Sequence, residues 1–284
     1  MRDGTSFDPD ELGALYDKAR RLEDAGDVEG AARLYEGCLA LDPDDHCGVV
    51  MRLAAFGRCA PHTAPPAYVA TLFDQNAETF DETLVDRLGY DVPALSRRIA
   101  DRHAIPQRIV DRQALARSRI LDVGCGTGLV GAAFADLGAM MVGVDLAEGM
   151  LAIADARDVY ADLYVGEAVQ FMAEWDEEPF DLVVAADVWP YLGDLTGFTA
   201  GAARCLSRGG ALIASSETTD DGWSVTATQR FAHSLDHITT ALSTAGFHVA
   251  AVEEIVVRHE EGRPVPGHLV LAVKRSAGMG AAEG

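Results

Sequence analysis

A glycine-rich loop followed by an acidic strand end is the part of this 284-residue sequence best suited to chemistry. The loop is Ile120-Leu-Asp-Val-Gly-Cys-Gly-Thr-Gly128, and Gly143-Val-Asp145 follows a helix-like stretch. Glycines let the backbone turn sharply and approach a ligand closely, and the next helix would present its free N–H groups there. A carboxylate at Asp145 can accept both hydroxyls of a ribose. The pattern therefore predicts a nucleoside-containing cofactor.

Two kinds of cofactor fit this geometry. The spacing Gly126-x-Gly128-x-x-Gly131, with Asp145 beyond it, satisfies the dinucleotide fingerprint, so an NAD-dependent oxidoreductase is one alternative. Asp122 disfavours it, because a carboxylate at the mouth of the loop would repel a pyrophosphate on the helix N-terminus. Asp122 suits a ligand that carries a cationic amine instead.

The segments Leu121–Gly128 and Gly143–Leu151 resemble class I S-adenosylmethionine (SAM) methyltransferases. Within that class the sequence is similar to bacterial predicted methyltransferases that carry an N-terminal tetratricopeptide (TPR) segment, and more distantly to quinone- and biotin-pathway methyltransferases. The resemblance covers roughly 67–275. It implies SAM as the methyl donor, S-adenosylhomocysteine as the product, and in-line displacement at the sulfonium. The sequence does not identify the acceptor, for which a small molecule is expected.

The resemblance also implies roles for individual residues. Gly124 and Gly126, with Cys125 between them, would lie against the methionine moiety, whose amine Asp122 would orient. Asp145 would take the ribose hydroxyls. The remaining expected contacts are Leu146 and Met150 on the adenine, Glu167 and Ala168 beside its amino group, and Phe80 covering the methionine half from a lid.

The acceptor is expected beyond the fourth strand, because ligands of open α/β sheets bind outside the carboxyl ends of the strands. Asp187 and Tyr191 follow that strand and should face the sulfonium end of SAM. His233, near the start of a helix predicted over 229–245, is a candidate general base, since an unperturbed histidine titrates near neutral pH. The alternative is a histidine hydrogen-bonded to the backbone. No His/Cys/Asp cluster has metal-ligand spacing.

Strands alternating with helices after Arg119 predict a parallel sheet built from βαβ units. A helix and two strands joined by a Gly/Pro turn at 260–267 end this region, so one of these strands should run antiparallel. The resemblance implies a Rossmann-like, seven-stranded sheet in the order 3-2-1-4-5-7-6, with strand 7 antiparallel. The independently predicted C-terminal hairpin agrees with that order.

Residues 1–60 form a separate helical segment in this interpretation. The pattern Leu15…Ala19…Leu22…Gly26…Ala31…Tyr35…Cys38…Pro43 resembles one TPR, although any helical hairpin shares its periodicity. One repeat must dock on its own domain or on a partner, because arrays need three or more to bury a core. The predicted divisions are 1–60 (TPR-like), 61–118 (proline-containing linker and helical lid), 119–275 (SAM-binding domain) and 276–284 (flexible tail). An adaptor that recruits a protein through the TPR-like segment is a further alternative.

Composition limits the partners. The formal charge is −22, and residues 119–284 carry 24 acidic against 9 basic groups. Phosphate contacts need clustered Lys and Arg, so nucleic acid and anionic membrane surfaces are disfavoured. No apolar run reaches the roughly 18 residues of a membrane span, and no signal-peptide core is present. Five scattered cysteines predict neither a disulfide framework nor a zinc site, which favours a cytoplasmic location. The oligomeric state is left open.

Overall fold

The computed structural model describes residues 9–105, 107 and 118–275, so the predicted tail at 276–284 lies outside the described residues. A mixed sheet forms its centre. The strands are β1 (Arg119–Val123), β2 (Met140–Asp145), β3 (Asp162–Val165), β4 (Phe180–Ala185), β5 (Leu206–Thr218), β6 (Trp223–Val225), β7 (Phe231–His233), β8 (Phe247–Glu260) and β9 (Arg263–Lys274). The helices are α1 (Pro9–Asp24), α2 (Val28–Leu41), α3 (Val49–Ala55), α4 (Pro66–Asn76), α5 (Val92–Arg102), α6 (Leu129–Phe134), α7 (Glu148–Asp155), α8 (Ala168–Glu174), α9 (Thr196–Cys205) and α10 (Leu235–Thr244).

The order of the main strands confirms the predicted fold class. Strands β3, β2, β1, β4 and β5 pair in parallel, and β9 then pairs antiparallel with both β5 and β8. The order is therefore β3-β2-β1-β4-β5-β9-β8, in which β8 and β9 are the predicted sixth and seventh strands. Val123 lies opposite Val144 in the β1–β2 register, so the glycine loop and Asp145 emerge side by side.

A short hairpin between β5 and α10 was not predicted, and the helix expected over 229–245 is wrong at its start. Residues 223–225 and 231–233 pair as the antiparallel strands β6 and β7. Strand β7 also pairs in parallel with the last residues of β5, which continue beyond the end of β4. Gln229 adopts a positive φ of 62°, which ends any helix there. Helix α10 begins only after Ser234, whose side chain accepts a hydrogen bond from the His237 backbone N–H.

The C-terminal hairpin turns more tightly than the eight-residue turn predicted at 260–267. Glu261 and Gly262 alone form the turn, with positive φ values of 50° and 75° that suit a two-residue hairpin connection. Pro264 and Pro266 lie in β9, in a stretch that pairs with β8 but precedes the pairing with β5 at Gly267. The missing proline N–H groups therefore remove no hydrogen bond to β5.

Helices α1 and α2 form the predicted helical hairpin, which bends at Gly26 with φ 79°. The short helix α3 was not predicted. Its Met51 is fully buried in one cluster with Val69 of α4 and Phe231 of β7, so this segment docks on the rest of the chain. Its identity as a TPR stays a prediction. Over residues 9–105, 107 and 118–275, no helix combines the length and apolar character that a membrane span requires.

Candidate active site

A pocket that is partly open to solvent lies at the carboxyl ends of β1 to β4. Ten of the thirteen predicted site residues line it, namely Phe80, Gly124, Cys125, Gly126, Asp145, Leu146, Glu167, Ala168, Asp187 and Tyr191. Asp122, Met150 and His233 do not.

The glycine loop needs glycine at the two positions where it meets the pocket. Gly124 has φ 62°, and a Cβ there would lie 2.6 Å from a methyl carbon of Val188. Gly126 has φ 51° and faces open space, so its backbone is available to a ligand. Asp145 holds the loop in place, because its carboxylate accepts hydrogen bonds from the N–H groups of Gly126 at 2.8 Å and Ala147 at 2.9 Å.

Tyr160 connects the loop, the following helix and Asp122. Its hydroxyl donates to Asp122 Oδ2 at 2.6 Å and accepts from the Gly131 N–H at 3.2 Å. Sequence reasoning missed this residue, and the only signal was the glycine at 131, where a Cβ would lie 2.5 Å from the Tyr160 hydroxyl oxygen. Packing against Tyr160 therefore explains Gly131, the residue that completed the dinucleotide fingerprint.

We expect Gly131→Ala to destabilise the protein by about 1–3 kcal/mol, because the added methyl forces Tyr160 away from a well-packed site. Gly13→Ala is the matched control. Gly13 lies inside α1 with nothing within 4 Å of the position that a methyl group would occupy, so alanine there should stabilise the helix by about 0.5–1 kcal/mol. Urea unfolding of both variants measures the difference, and equal effects would contradict the packing argument.

Asp122 lies beneath the glycine loop rather than on the pocket wall. Its side chain has no exposed surface, and Oδ1 has no hydrogen-bond partner among the described residues. Burial raises the pKa of this carboxyl to about 7, against the lowering effect of the Tyr160 hydrogen bond. An ionised acceptor without a partner is costly in such a place, so Asp122 is suited to a cation brought by a ligand.

Of the residues predicted to contact the adenine, some line the pocket and one does not. Leu146 and Ala168 line the pocket, as does Glu167, whose carboxylate also accepts hydrogen bonds from Val169 N and Gln170 N at the start of α8. Met150, which was predicted to contact the adenine, does not line the pocket. It is fully buried in a cluster with Ala77 and Ala147.

Asp187 and Tyr191 meet Arg230 at the other end of the pocket. The Arg230 guanidinium donates to Asp187 Oδ2 at 2.5 Å, to the Tyr191 hydroxyl at 2.9 Å and, through Nε, to Glu217 at 2.7 Å. Arg258 on β8 forms an ion pair with the same Glu217 oxygen at 2.8 Å. Burial raises the pKa of Tyr191 to about 12, so this residue remains a neutral phenol.

The structure contradicts the interpretation of His233 as a pocket-facing general base. His233 lies on strand β7 with no exposed surface. Both ring nitrogens are engaged, Nδ1 with Ser216 Oγ at 2.8 Å and Nε2 with the Leu192 carbonyl at 2.7 Å. Burial lowers its pKa to about 4. The alternative interpretation, a histidine hydrogen-bonded to the backbone, agrees with this geometry.

Residues of the predicted lid form part of the pocket wall. Phe80 and Phe73 both line it, with ring centroids 5.7 Å apart. Two lid carboxylates fasten it to the cofactor side: Asp74 accepts from the Gly149 N–H at 2.8 Å, and Asp81 bridges the Thr127 hydroxyl and the Arg157 guanidinium, each at 2.5 Å. Asp74 thus supplies the acceptor that Ala147, at the N-cap of α7, lacks.

The proline-containing stretch at 58–66 is fixed rather than a free linker. Thr63 forms an isolated antiparallel bridge with Leu192, and the Gly193 N–H donates to the His62 carbonyl at 2.8 Å. These bonds join the lid to the loop after β4.

Within the part of the chain that the structure describes, no group of three His, Cys, Asp or Glu side chains is arranged to hold a metal ion.

Comparison with known proteins finds a family model that matches part of the chain. Residues 121–214 match the family described as methyltransferase domain. Curated relatives include the ubiquinone biosynthesis O-methyltransferases of Maricaulis maris, 39% identical over 99 residues (34% of this chain, 39% of that protein), and of Xanthomonas oryzae pv. oryzae, 34% identical over 104 residues (36% and 44%). The chain thus spans about two fifths of the length of these relatives.

Solved structures with similar topology include two methyltransferases. One is the magnesium protoporphyrin IX methyltransferase of Synechocystis PCC 6803 with bound SAM, 18% identical, with a TM-score of 0.46 over 63% of this chain and 79% of that one. The other is an S-adenosylmethionine-dependent methyltransferase from Mesorhizobium loti, 23% identical, with a TM-score of 0.45 over 55% and 90%.

Proposed function

We propose that this chain is a SAM-dependent methyltransferase that transfers a methyl group from SAM to a small-molecule acceptor bound beside Asp187 and Tyr191. The match of residues 121–214 to a methyltransferase domain supports this proposal. The observation that carries the proposal is a pocket that joins the glycine loop and Asp145 to those two side chains. Bound there, SAM supplies a methyl group on a positively charged sulfur, which an acceptor lone pair attacks as the carbon–sulfur electrons stay on sulfur.

The residues present fit a ligand that combines a cation with a ribose. Gly126 presents backbone without a side chain, and Asp145 keeps lone pairs for two hydroxyls in addition to its two backbone hydrogen bonds. Asp122 does not line the pocket, but its buried Oδ1 lacks a donor among the described residues, and its negative charge beneath the loop would favour a methionine ammonium above it. The same charge would repel a pyrophosphate placed at the loop, which disfavours NAD.

The chain's own residues would act mainly by positioning. The loop and Asp145 would fix the cofactor, and Phe73 and Phe80 would exclude water from above. Holding two reactants in line can supply up to about 7–11 kcal/mol of the barrier reduction. We therefore assign no general base. Tyr191 would act as a neutral hydrogen-bond donor at the acceptor end, since its raised pKa keeps the proton in place.

Calorimetric titration with S-adenosylhomocysteine, SAM and NAD tests the proposal directly. We expect one molecule of S-adenosylhomocysteine per chain and an affinity at least about 100-fold greater than for NAD, equivalent to about 2.7 kcal/mol. Absence of S-adenosylhomocysteine binding, or tighter binding of NAD, would refute the proposed function.

A partner-binding role for residues 1–60 is a separate proposal, supported by a helical hairpin with its own core. A pull-down that loses its partner when those residues are deleted would support it.

The lid contacts predict a kinetic effect. We expect Asp81→Ala to raise the dissociation rate of S-adenosylhomocysteine about fivefold, because the lid loses one hydrogen bond to Thr127 and a partly exposed ion pair with Arg157. Asp86→Ala, an exposed carboxylate on the same segment, should leave the rate unchanged. Stopped-flow dissociation measures both rates. Equal rates for Asp81→Ala and the unmodified protein would show that the bridge does not hold the lid.

A further inference from the structure

Much of the pocket wall is apolar. Ala64, Val69, Leu84, Pro93 and Leu192 line the same pocket as the side chains of Asp187 and Tyr191. None of the described residues that line the pocket is a lysine, arginine or histidine. An anionic acceptor would therefore lose its hydration without gaining a cationic partner on the pocket wall.

Arg230, the cation behind this wall, is already engaged. Each of its three guanidinium nitrogens donates to a protein oxygen: Nε to Glu217, and the terminal nitrogens to Tyr191 and Asp187. Its side chain is only 15% exposed. Two carboxylates neutralise this one guanidinium, although Arg258 shares one of them. A carboxylate or phosphate on the acceptor would meet the negative charge of Asp187 and no unengaged guanidinium on the described pocket wall.

Asp187 nevertheless has an unused acceptor atom. Arg230 holds Oδ2, while Oδ1 is buried and has no hydrogen-bond partner among the described residues. The backbone is fixed as well, because the Asp187 N–H donates to Ser215 Oγ at 2.9 Å and φ is 66°, a conformation that Asp adopts more readily than most residues. Oδ1 is therefore a rigidly placed acceptor without a partner, on a side chain that lines the pocket.

We propose that the acceptor is an uncharged, mainly apolar molecule whose hydroxyl group donates a hydrogen bond to Asp187 Oδ1, with Arg230 as the residue that positions Asp187. This inference rests on the proposed function and deepens it. The apolar wall would hold the body of the molecule, the Tyr191 hydroxyl would provide a second polar contact, and the paired carboxylates would select against anions. Glu217 and Arg258 act only through Arg230, since neither lines the pocket.

Matched ligands of one shape test the charge preference. The protein saturated with S-adenosylhomocysteine is titrated in a calorimeter with 2-naphthol and with 2-naphthoate, which differ in carrying a neutral hydroxyl or an anionic carboxylate on the same ring system. We expect 2-naphthol to bind at least about tenfold more tightly, a difference of about 1.4 kcal/mol. Equal binding, preference for the carboxylate, or no binding of either probe overturns the inference. Saturation with S-adenosylhomocysteine remains the separate readout of the proposed function.

Asp187→Asn tests the residue itself. The asparagine oxygen can still pair with Arg230, which leaves an NH₂ group, a donor, where Oδ1 was an acceptor. In protein saturated with S-adenosylhomocysteine, we expect the preference for 2-naphthol over 2-naphthoate to shrink by at least about fivefold. The control variant Asp220→Asn changes an exposed carboxylate in the loop after β5 to a carboxamide, and it should keep the full preference for 2-naphthol. A general loss of packing would lower the affinities for both probes by the same factor. If the ratio of 2-naphthol affinity to 2-naphthoate affinity is unchanged in Asp187→Asn, Asp187 is not the acceptor of the hydroxyl hydrogen bond.

Discussion

Asp145→Ala is expected to weaken S-adenosylhomocysteine binding by about 100-fold or more. Two hydrogen bonds from ribose hydroxyls to a carboxylate contribute about 1.5 kcal/mol each or more, and their joint loss corresponds to that factor. The same carboxylate also holds the Gly126 and Ala147 backbone N–H groups at 2.8 and 2.9 Å, so its removal loosens the loop as well. Both effects act in the same direction on affinity.

Two companion variants separate direct contact from loop support. Glu148→Ala removes an exposed carboxylate three residues further on and should bind S-adenosylhomocysteine normally. Asp145→Asn keeps an oxygen for one backbone N–H but offers a ribose one acceptor fewer, so we expect an intermediate loss of roughly tenfold, about 1.4 kcal/mol. Calorimetry gives the affinities, and urea unfolding shows whether each variant remains folded. A folded Asp145→Ala protein with affinity within threefold of the unmodified protein would refute the ribose assignment.

The cofactor end could be predicted because its residues follow one another closely along the chain. Gly124 comes directly after β1 and Asp145 ends β2, and neighbouring parallel strands bring their carboxyl ends together. The strand order followed from the family resemblance, and the independently predicted C-terminal helix and hairpin agree with it.

Side chains whose partners lie far away in sequence were not predictable in this way. His233 is the last residue of β7, a strand of only three residues, which is too short to be recognised from its pattern. Its burial depends on pairing with the far end of β5 and on the Leu192 carbonyl. Arg230 has partners at 187 and 191, in the segment after β4, and at 217, near the end of β5. Met150 is a smaller case of the same kind, since it is buried in one cluster with Ala77, which lies far away in sequence.

Asp122 gives the second large expected effect, a dependence of cofactor affinity on pH. Burial raises the pKa of Asp122 to about 7, and the groups around it are the Tyr160 hydroxyl, the Cys125 thiol and the Asp145 carboxylate. If the methionine ammonium pairs with ionised Asp122, binding must release the proton that the free protein holds below pH 7. Affinity for S-adenosylhomocysteine should then rise about tenfold per pH unit at most between pH 5 and pH 7, and level off above it.

Asp122→Asn should remove this slope while keeping the hydrogen bond from Tyr160, and its affinity at pH 7.5 should be lower than that of the unmodified protein.

The stability of the free protein should change with pH in the opposite direction to the affinity. Because the folded pKa lies above the unfolded value of 3.8, the folded state binds more protons between these values and unfolding free energy falls as pH rises through 7. The asparagine variant lacks this penalty, so its stability advantage should be larger at pH 8 than at pH 5. Calorimetry in buffers of different ionisation enthalpy counts the released proton, and a flat affinity profile with no proton release would refute the pairing of Asp122 with the ammonium.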